Sequence, residues 1–197
     1  MRLRIGMVGV GLMGHGIAAN LLRHGHALTL LDHPGNQPVD DLLQAGAQRV
    51  ATLAQVAAGA QQLLLCVTGS DQVEAVLCGD PRESSEAGLL AGMQPGCLLI
   101  DCSTALPART RAMAQRVSEA GGAMVDAAMT RTPKEAAEGR LNLLVGGEAA
   151  DVARAMPVLR CFAEHITPTG GVGSGHAMKL LHNYVSLGQI ALIAEAA

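Results

Sequence analysis

The turn Gly9-Val10-Gly11-Leu12-Met13-Gly14 restricts what this chain can fold into more than any other segment. It follows a short apolar run, Leu3 to Val8, and opens a segment from about Leu12 to Arg23 in which Ile17, Leu21 and Leu22 fall near helical spacing. An isolated G-x-G-x-x-G is a weak signal, but between a strand and a helix it is in the context a phosphate-binding turn requires. There Gly9 permits the tight turn, Gly11 lets the backbone approach a pyrophosphate, and Gly14 lets helix and strand pack closely. The free amides of the first helical turn, at Leu12 and Met13, face the anion. The competing reading is a glycine-rich turn that holds no ligand.

The same alternation continues along the chain. Strands are expected at His26 to Asp32, Gln62 to Thr68, Cys97 to Asp101, Ala123 to Asp126 and Leu141 to Val145. Helices are expected at Val39 to Ala45, Leu53 to Ala58, Asp71 to Leu77, Pro107 to Ala120 and Asp151 to Leu159. Near-continuous apolar strands alternating with helices imply an α/β fold, a doubly wound Rossmann-type parallel sheet covered on both faces. Thr167-Pro168-Thr169-Gly170-Gly171 reads as a break. After it, from about Ser174, the chain contains no Pro and reads as one long helix still running at Ala197. The expected organisation is a dinucleotide-binding domain over 1–167. Residues 168–197 then begin an inter-domain helix that leads to a missing all-α domain.

Asp32 lies eighteen residues after Gly14, at the end of the second expected strand. An acidic side chain there accepts hydrogen bonds from the adenosine ribose hydroxyls and repels a 2′-phosphate, which favours NAD and leaves NADP possible. Alternatively Asp32 caps a turn. Val67 and Thr68, after Cys66 at the end of the third expected strand, are expected to line the adenosine side through their backbone.

Composition narrows the partners. Net charge is −3, from 14 Lys and Arg against 17 Asp and Glu, with no block of like charge, so neither a nucleic-acid arm nor a membrane-binding patch is indicated. Phe162 and Tyr184 are the sole aromatic residues, too few for a base-stacking platform. The five cysteines form no C-x-x-C pair and no His/Cys cluster at metal spacing. They read as reduced thiols of a cytoplasmic protein without a metal site. No leader segment and no stretch near the roughly 20 apolar residues of a membrane helix is expected. Of the histidines, His15, His24, His26, His165 and His182 read as solvated or packed, and His176, one turn before Lys179, is the one to test.

Four segments in order carry a resemblance to the β-hydroxyacid dehydrogenase family across the whole chain. They are the Gly9–Gly14 turn with Ala18-Ala19-Asn20-Leu21; Asp101-Cys102-Ser103-Thr104-Ala105-Leu106-Pro107; the segment after Asp126; and Gly173-Ser174-Gly175-His176-Ala177-Met178-Lys179 leading to Asn183. The resemblance implies that Lys179 is the catalytic acid/base, that Ser103 binds substrate, and that Thr104 lies near the nicotinamide ribose. It also implies a homodimer or homotetramer for the full-length protein. Physically, an ammonium can donate a proton to a developing alkoxide while hydride moves between a carbinol carbon and nicotinamide. Lys179 and Asn183 are four apart, on one helix face. The alternatives are a solvated lysine, an Asn183 bonded to a neighbouring helix, and Ser103 or Thr104 capping the helix at Pro107.

Where the family commonly has a serine and two glycines, this chain reads Met129-Thr130-Arg131-Thr132-Pro133. With Gly139-Arg140-Leu141-Asn142, the segment resembles the sulfolactaldehyde and semialdehyde reductases of the family. A guanidinium at 131 offers bidentate recognition of an anion, so Thr130 and Arg131 point to an anionic hydroxy acid or semialdehyde substrate. Alternatively Arg131 is an exposed arginine beside Lys134. Two other functions compete with the NAD(H) oxidoreductase: a non-catalytic NAD-binding or interaction protein, and an imine reductase. The presence of Lys179 argues against both.

Overall fold

The computed structural model describes residues 2–31, 33–79 and 87–196. Among these, eight strands form one sheet in the order β3-β2-β1-β4-β5-β6-β7-β8. They are β1 (Arg4–Val8), β2 (Ala27–Leu31), β3 (Gln48–Val50), β4 (Gln62–Leu65), β5 (Leu98–Asp101), β6 (Ala123–Thr130), β7 (Leu141–Gly146) and β8 (Ala163–Gly170). The helices between them are α1 (Leu12–Arg23), α2 (Asp40–Gln44), α3 (Leu53–Ala57), α4 (Ser70–Cys78), α5 (Leu89–Gly92), α6 (Pro107–Glu119), α7 (Pro133–Glu138) and α8 (Ala149–Leu159), followed by α9 (Ser174–Ala196).

Strands β1 to β6 are parallel and follow the doubly wound order. The central strands are buried on both sides, and alternation sends neighbouring residues into different layers. Leu64, Leu98 and Ile100 join Ile17, Leu21 and Phe162 in one core. Leu63, Leu65 and Leu99 join Val73, Leu77 and Val117 in the other.

The sheet departs from the all-parallel expectation at its far edge, where β7 runs antiparallel to β6 and β8 parallel to β7. A short helix, α7, makes the reversal: Thr132 and Glu135 form a reciprocal capping box, Pro133 starts the helix, and Gly139 ends it at φ +72°. The segment 167–171, expected to be a break, lies largely inside β8, so β8 crosses the boundary expected at 167/168. As the edge strand, β8 can place the missing N–H of Pro168 without breaking an interior ladder.

Two buried side chains fix the layers around α1. Asn20 donates through Nδ2 to the carbonyls of Gly16, Ala136 and Ala137, clamping α1 to α7. His26 accepts the Leu3 N–H at Nδ1 (3.2 Å) and meets the Cys161 thiol at Nε2 (3.5 Å).

Burial, with His24 and the chain's amino terminus adding, holds the pKa of His26 below its ordinary 6.5. The unfolded chain therefore binds this proton more tightly than the folded one. The associated stability is complete above pH 6.5 and is lost as pH falls through that value towards the depressed folded pKa. Urea midpoints should thus fall between pH 7.5 and 5.5, and His26→Gln should flatten that dependence; an equal slope in the variant would remove His26 as the cause.

Candidate functional site

Strand order reverses between β1 and β4, and ligands of doubly wound sheets collect at the carboxyl ends of strands at such a switch point. The glycine turn occupies that position. Gly9 has φ +94°, and a Cβ there would lie 2.2 Å from the Cys66 carbonyl oxygen at the end of β4. A Cβ on Gly14 would lie 1.9 Å from the Gly9 carbonyl oxygen. At Gly11, by contrast, a Cβ would meet nothing within 4 Å. Its lack of a side chain relieves no clash within the protein and keeps the space over the helix N-terminus open.

Helix α1 begins there without a side-chain cap or an acidic residue in its first turn. The Leu12, Met13 and Gly14 amides remain available to an anion. Leu12 stands exposed beside them. Asn36 pins the next loop against the turn, accepting the Val10 N–H at Oδ1 (3.2 Å) and donating from Nδ2 to the Leu31 carbonyl (2.8 Å). The sequence reading missed this bracket. Asp32, expected to hold the ribose, lies outside the described residues.

The loop after β5 is tied to the loop after β4. Ser103 Oγ accepts the Val67 N–H (3.1 Å), and the Ser103 N–H donates to Asp101 Oδ1 (2.9 Å). Ser103 is buried, and its hydroxyl also bonds the Asp101 carboxylate, while Thr104 is half-buried and Thr68 exposed. Neither Ser103 nor Thr104 caps α6; the Leu106 N–H that precedes the helix donates to Ser70 Oγ instead. Beneath the loops, burial pushes the Cys66 thiol up to about 12 and raises Cys102 as well, so neither supplies a thiolate.

Helix α9 covers the face of β6 that carries Asp126, Ala128 and Thr130. The fully buried Asp126 accepts the Gly173 N–H at Oδ1 (2.7 Å) and the His176 N–H at Oδ2 (2.8 Å), capping the helix from the sheet. This close seating requires glycine, because a Cβ on Gly175 would lie 2.4 Å from the Leu144 carbonyl oxygen. One turn on, Lys179 is half-buried and has no hydrogen-bond or ion-pair partner among the described residues. Burial lowers its ammonium pKa. Asn183, one turn further, is half-buried and its side-chain amide is likewise unbonded among the described residues.

Arg131 adopts φ +79°, the only left-handed non-glycine residue described. The chain keeps here a backbone shape suited to glycine and bears strain of about 1 kcal/mol or more for the side chain. The guanidinium is held by the Arg140 carbonyl and the Glu164 carboxylate, and Arg131 in turn lowers the pKa of Glu164. An anionic ligand must compete with Glu164 for it. Thr130, on the α9 side of β6, carries no such commitment. Among the described residues no cluster of three or more His, Cys, Asp or Glu could hold a metal, and no helix is long and apolar enough to cross a membrane.

If the turn is built as described, Gly14→Ala should cost about 3 kcal/mol because no side chain can yield to its Cβ. Gly11→Ala should cost under about 1 kcal/mol while weakening dinucleotide binding tenfold or more, roughly 1.4 kcal/mol. Chemical denaturation and NADH fluorescence titration check the pair; unaltered affinity in Gly11→Ala would move the pyrophosphate away from this turn.

The NAD-binding domain of 6-phosphogluconate dehydrogenase matches residues 4–171. The 3-sulfolactaldehyde reductase of Escherichia coli is 36% identical over 193 residues, covering 98% of this chain and 62% of that protein. The 3-hydroxyisobutyrate dehydrogenase of Pseudomonas aeruginosa is 35% identical, over 91% of this chain and 58% of that protein. Among solved structures, 3-hydroxyisobutyrate dehydrogenase of Mycobacterium tuberculosis with L-serine superposes with a TM-score of 0.87 at 28% identity, over all of this chain and 64% of that one. An imine reductase from Myxococcus stipitatus, at 20% identity and TM-score 0.84, shares the fold. The chain spans about three-fifths of the length of these relatives. By its glycine turn, its sheet and these matches, the chain belongs to the β-hydroxyacid dehydrogenase family, through the NAD-binding domain of 6-phosphogluconate dehydrogenase.

Proposed function

We propose that the protein is an NAD(H)-dependent oxidoreductase interconverting a β-hydroxy acid, or a short anionic hydroxy compound, with its aldehyde or ketone, with Lys179 as general acid/base. The observation that carries this reading is a half-buried lysine without a carboxylate partner, on a helix anchored to the sheet beside the loops after β5 and β6. Partial burial without a paired carboxylate lowers the lysine's pKa below its ordinary value, which favours release of its proton.

The open space over Gly11 and the uncapped start of α1 fit a pyrophosphate. Leu12, Met13 and Gly14 would hold it, with Val67 and Thr68 along the adenosine and Thr104 near the nicotinamide ribose. NAD is favoured over NADP through Asp32. When bound, the nicotinamide supplies or accepts the hydride. In oxidation the neutral Lys179 amine takes the substrate hydroxyl proton as hydride departs from the same carbon; in reduction the ammonium returns it to the carbonyl oxygen. Ser103 binds the substrate, Asn183 orients the hydroxyl or acid group, and Thr130 with Arg131 faces the anionic end. The 3-sulfolactaldehyde reductase relative supports a sulfonate or carboxylate there. We assign the exposed apolar side of α9, with Tyr184, Leu187, Ile190 and Ile193, to contacts within a full-length dimer.

In the full-length protein, Lys179→Ala should lower turnover about 10²- to 10⁴-fold and leave NADH affinity nearly unaltered; activity close to wild type would end the proton-transfer role. Arg131→Ala should raise KM for anionic substrates and spare neutral ones. An unaltered substrate profile would leave Arg131 as a strut between β6, β7 and β8.

A further inference from the structure

Two fully buried polar atoms face each other below the site without other partners among the described residues: Asp101 Oδ2 and His176 Nε2, 4.0 Å apart. Each residue is satisfied on its other side. Asp101 Oδ1 accepts the Ser103 N–H, and His176 Nδ1 lies 2.7 Å from Thr110 Oγ1. Thr110 Oγ1 lies within hydrogen-bond distance of both the Leu106 carbonyl (3.2 Å) and Nδ1, so its proton does not fix the imidazole tautomer. In one tautomer an Nε2–H faces the Asp101 carboxylate and in the other the bare Nε2 faces a protonated Asp101; in both, one proton lies between the two side chains. The other buried carboxylate nearby, Asp126, is occupied by the Gly173 and His176 amides.

Burying a carboxylate and an imidazole together costs several kcal/mol unless they serve each other. What the pair joins gives it a role. Asp101 ends β5 two residues before Ser103, whose hydroxyl holds the Val67 amide. His176 lies in the first turn of α9, three residues before Lys179 and on the same helix face. Asp126 fixes where the helix starts; the Asp101–His176 contact fixes how it sits against the loop after β5.

We propose that Asp101 and His176 are positioning residues: their buried contact locks the helix bearing Lys179 to the loop bearing Ser103, so that proton transfer and substrate binding keep one geometry. The catalytic consequence rests on the role of Lys179 given above; the mechanical coupling does not.

The test uses full-length protein with His176→Leu, His176→Gln, Asp101→Asn and Asp101→Leu. Hydrogen exchange should show that the His176 substitutions loosen residues 101–106 and that the Asp101 substitutions loosen 174–183, with β2 protection unaltered. Turnover by folded His176→Leu should fall about 10- to 100-fold in kcat rather than KM, at unaltered NADH affinity. His176→Gln, whose amide can donate to or accept from Asp101, should recover most of it. Exchange in each segment indifferent to substitution in the other overturns the proposal, as does a loss of turnover that tracks folded protein alone with Gln no better than Leu. If wild type turns over no hydroxy acid or semialdehyde, the oxidoreductase reading fails while the exchange experiment still decides the coupling. Should the leucine variants not fold, the near-isosteric Asn and Gln variants carry the same comparison.

Discussion

The Asp126 carboxylate at the start of α9 is the contact on which the catalytic half of the site depends. It lies fully buried in β6 and takes two amides of the following helix, Gly173 and His176, in place of water. A buried carboxylate is costly by itself, and the positive end of a helix is among the few backbone features that can offset it. The two glycines flanking Ser174 follow from the same contact. A side chain on Gly175 would collide with the β7 backbone, and one on Gly173 would press to 3.0 Å from the Pro107 carbonyl and the Arg111 guanidinium. The helix can reach the carboxylate only where side chains are absent, and Lys179 is carried in one turn later.

The cofactor half is built by a different device at the same end of the sheet. Gly9 and Gly14 are glycine for reasons internal to the fold, since each faces a carbonyl oxygen at bonding-range distance from where a Cβ would be. Gly11 is glycine for a reason outside it. One motif thus divides into two positions fixed by packing and one that leaves open space over the helix N-terminus. Asn20 extends this arrangement by holding α7 to α1, so the segment Thr130 to Thr132 is braced against the helix that starts at the glycine turn.

Legibility in the sequence followed how local each cause was. The glycine turn, the parallel strands β1, β2, β4, β5 and β6 and the long α9 have signals within a few residues and emerge in the structure as expected, whereas the three-residue β3 (Gln48–Val50) is too short and too polar to show itself. The antiparallel β7 and the edge strand β8 were obscured because edge position, which tolerates Pro168, is a property of the sheet and not of the segment. Helix α7 is shorter than two turns and announces itself only by the Thr132–Glu135 box, which the reading passed over. Asp126 and Asp101 stood out only as strand ends, because their partners lie 50 and 75 residues away at His176. For Arg131, the sequence exposed the departure from glycine but not that the left-handed backbone persists, nor that Glu164 already occupies the guanidinium.

In the proposed function, the turn at Gly9–Gly14 and Lys179 of α9 serve one ligand-binding cleft, the first holding the pyrophosphate and the second the reacting oxygen. A crystal structure of the full-length protein with NAD and a bound hydroxy acid tests it most directly. The pyrophosphate should lie on the Leu12 to Gly14 amides and the Lys179 amine about 3 Å from the substrate hydroxyl. A dinucleotide seated away from that turn, or Lys179 turned to solvent with another group on the hydroxyl, would contradict it.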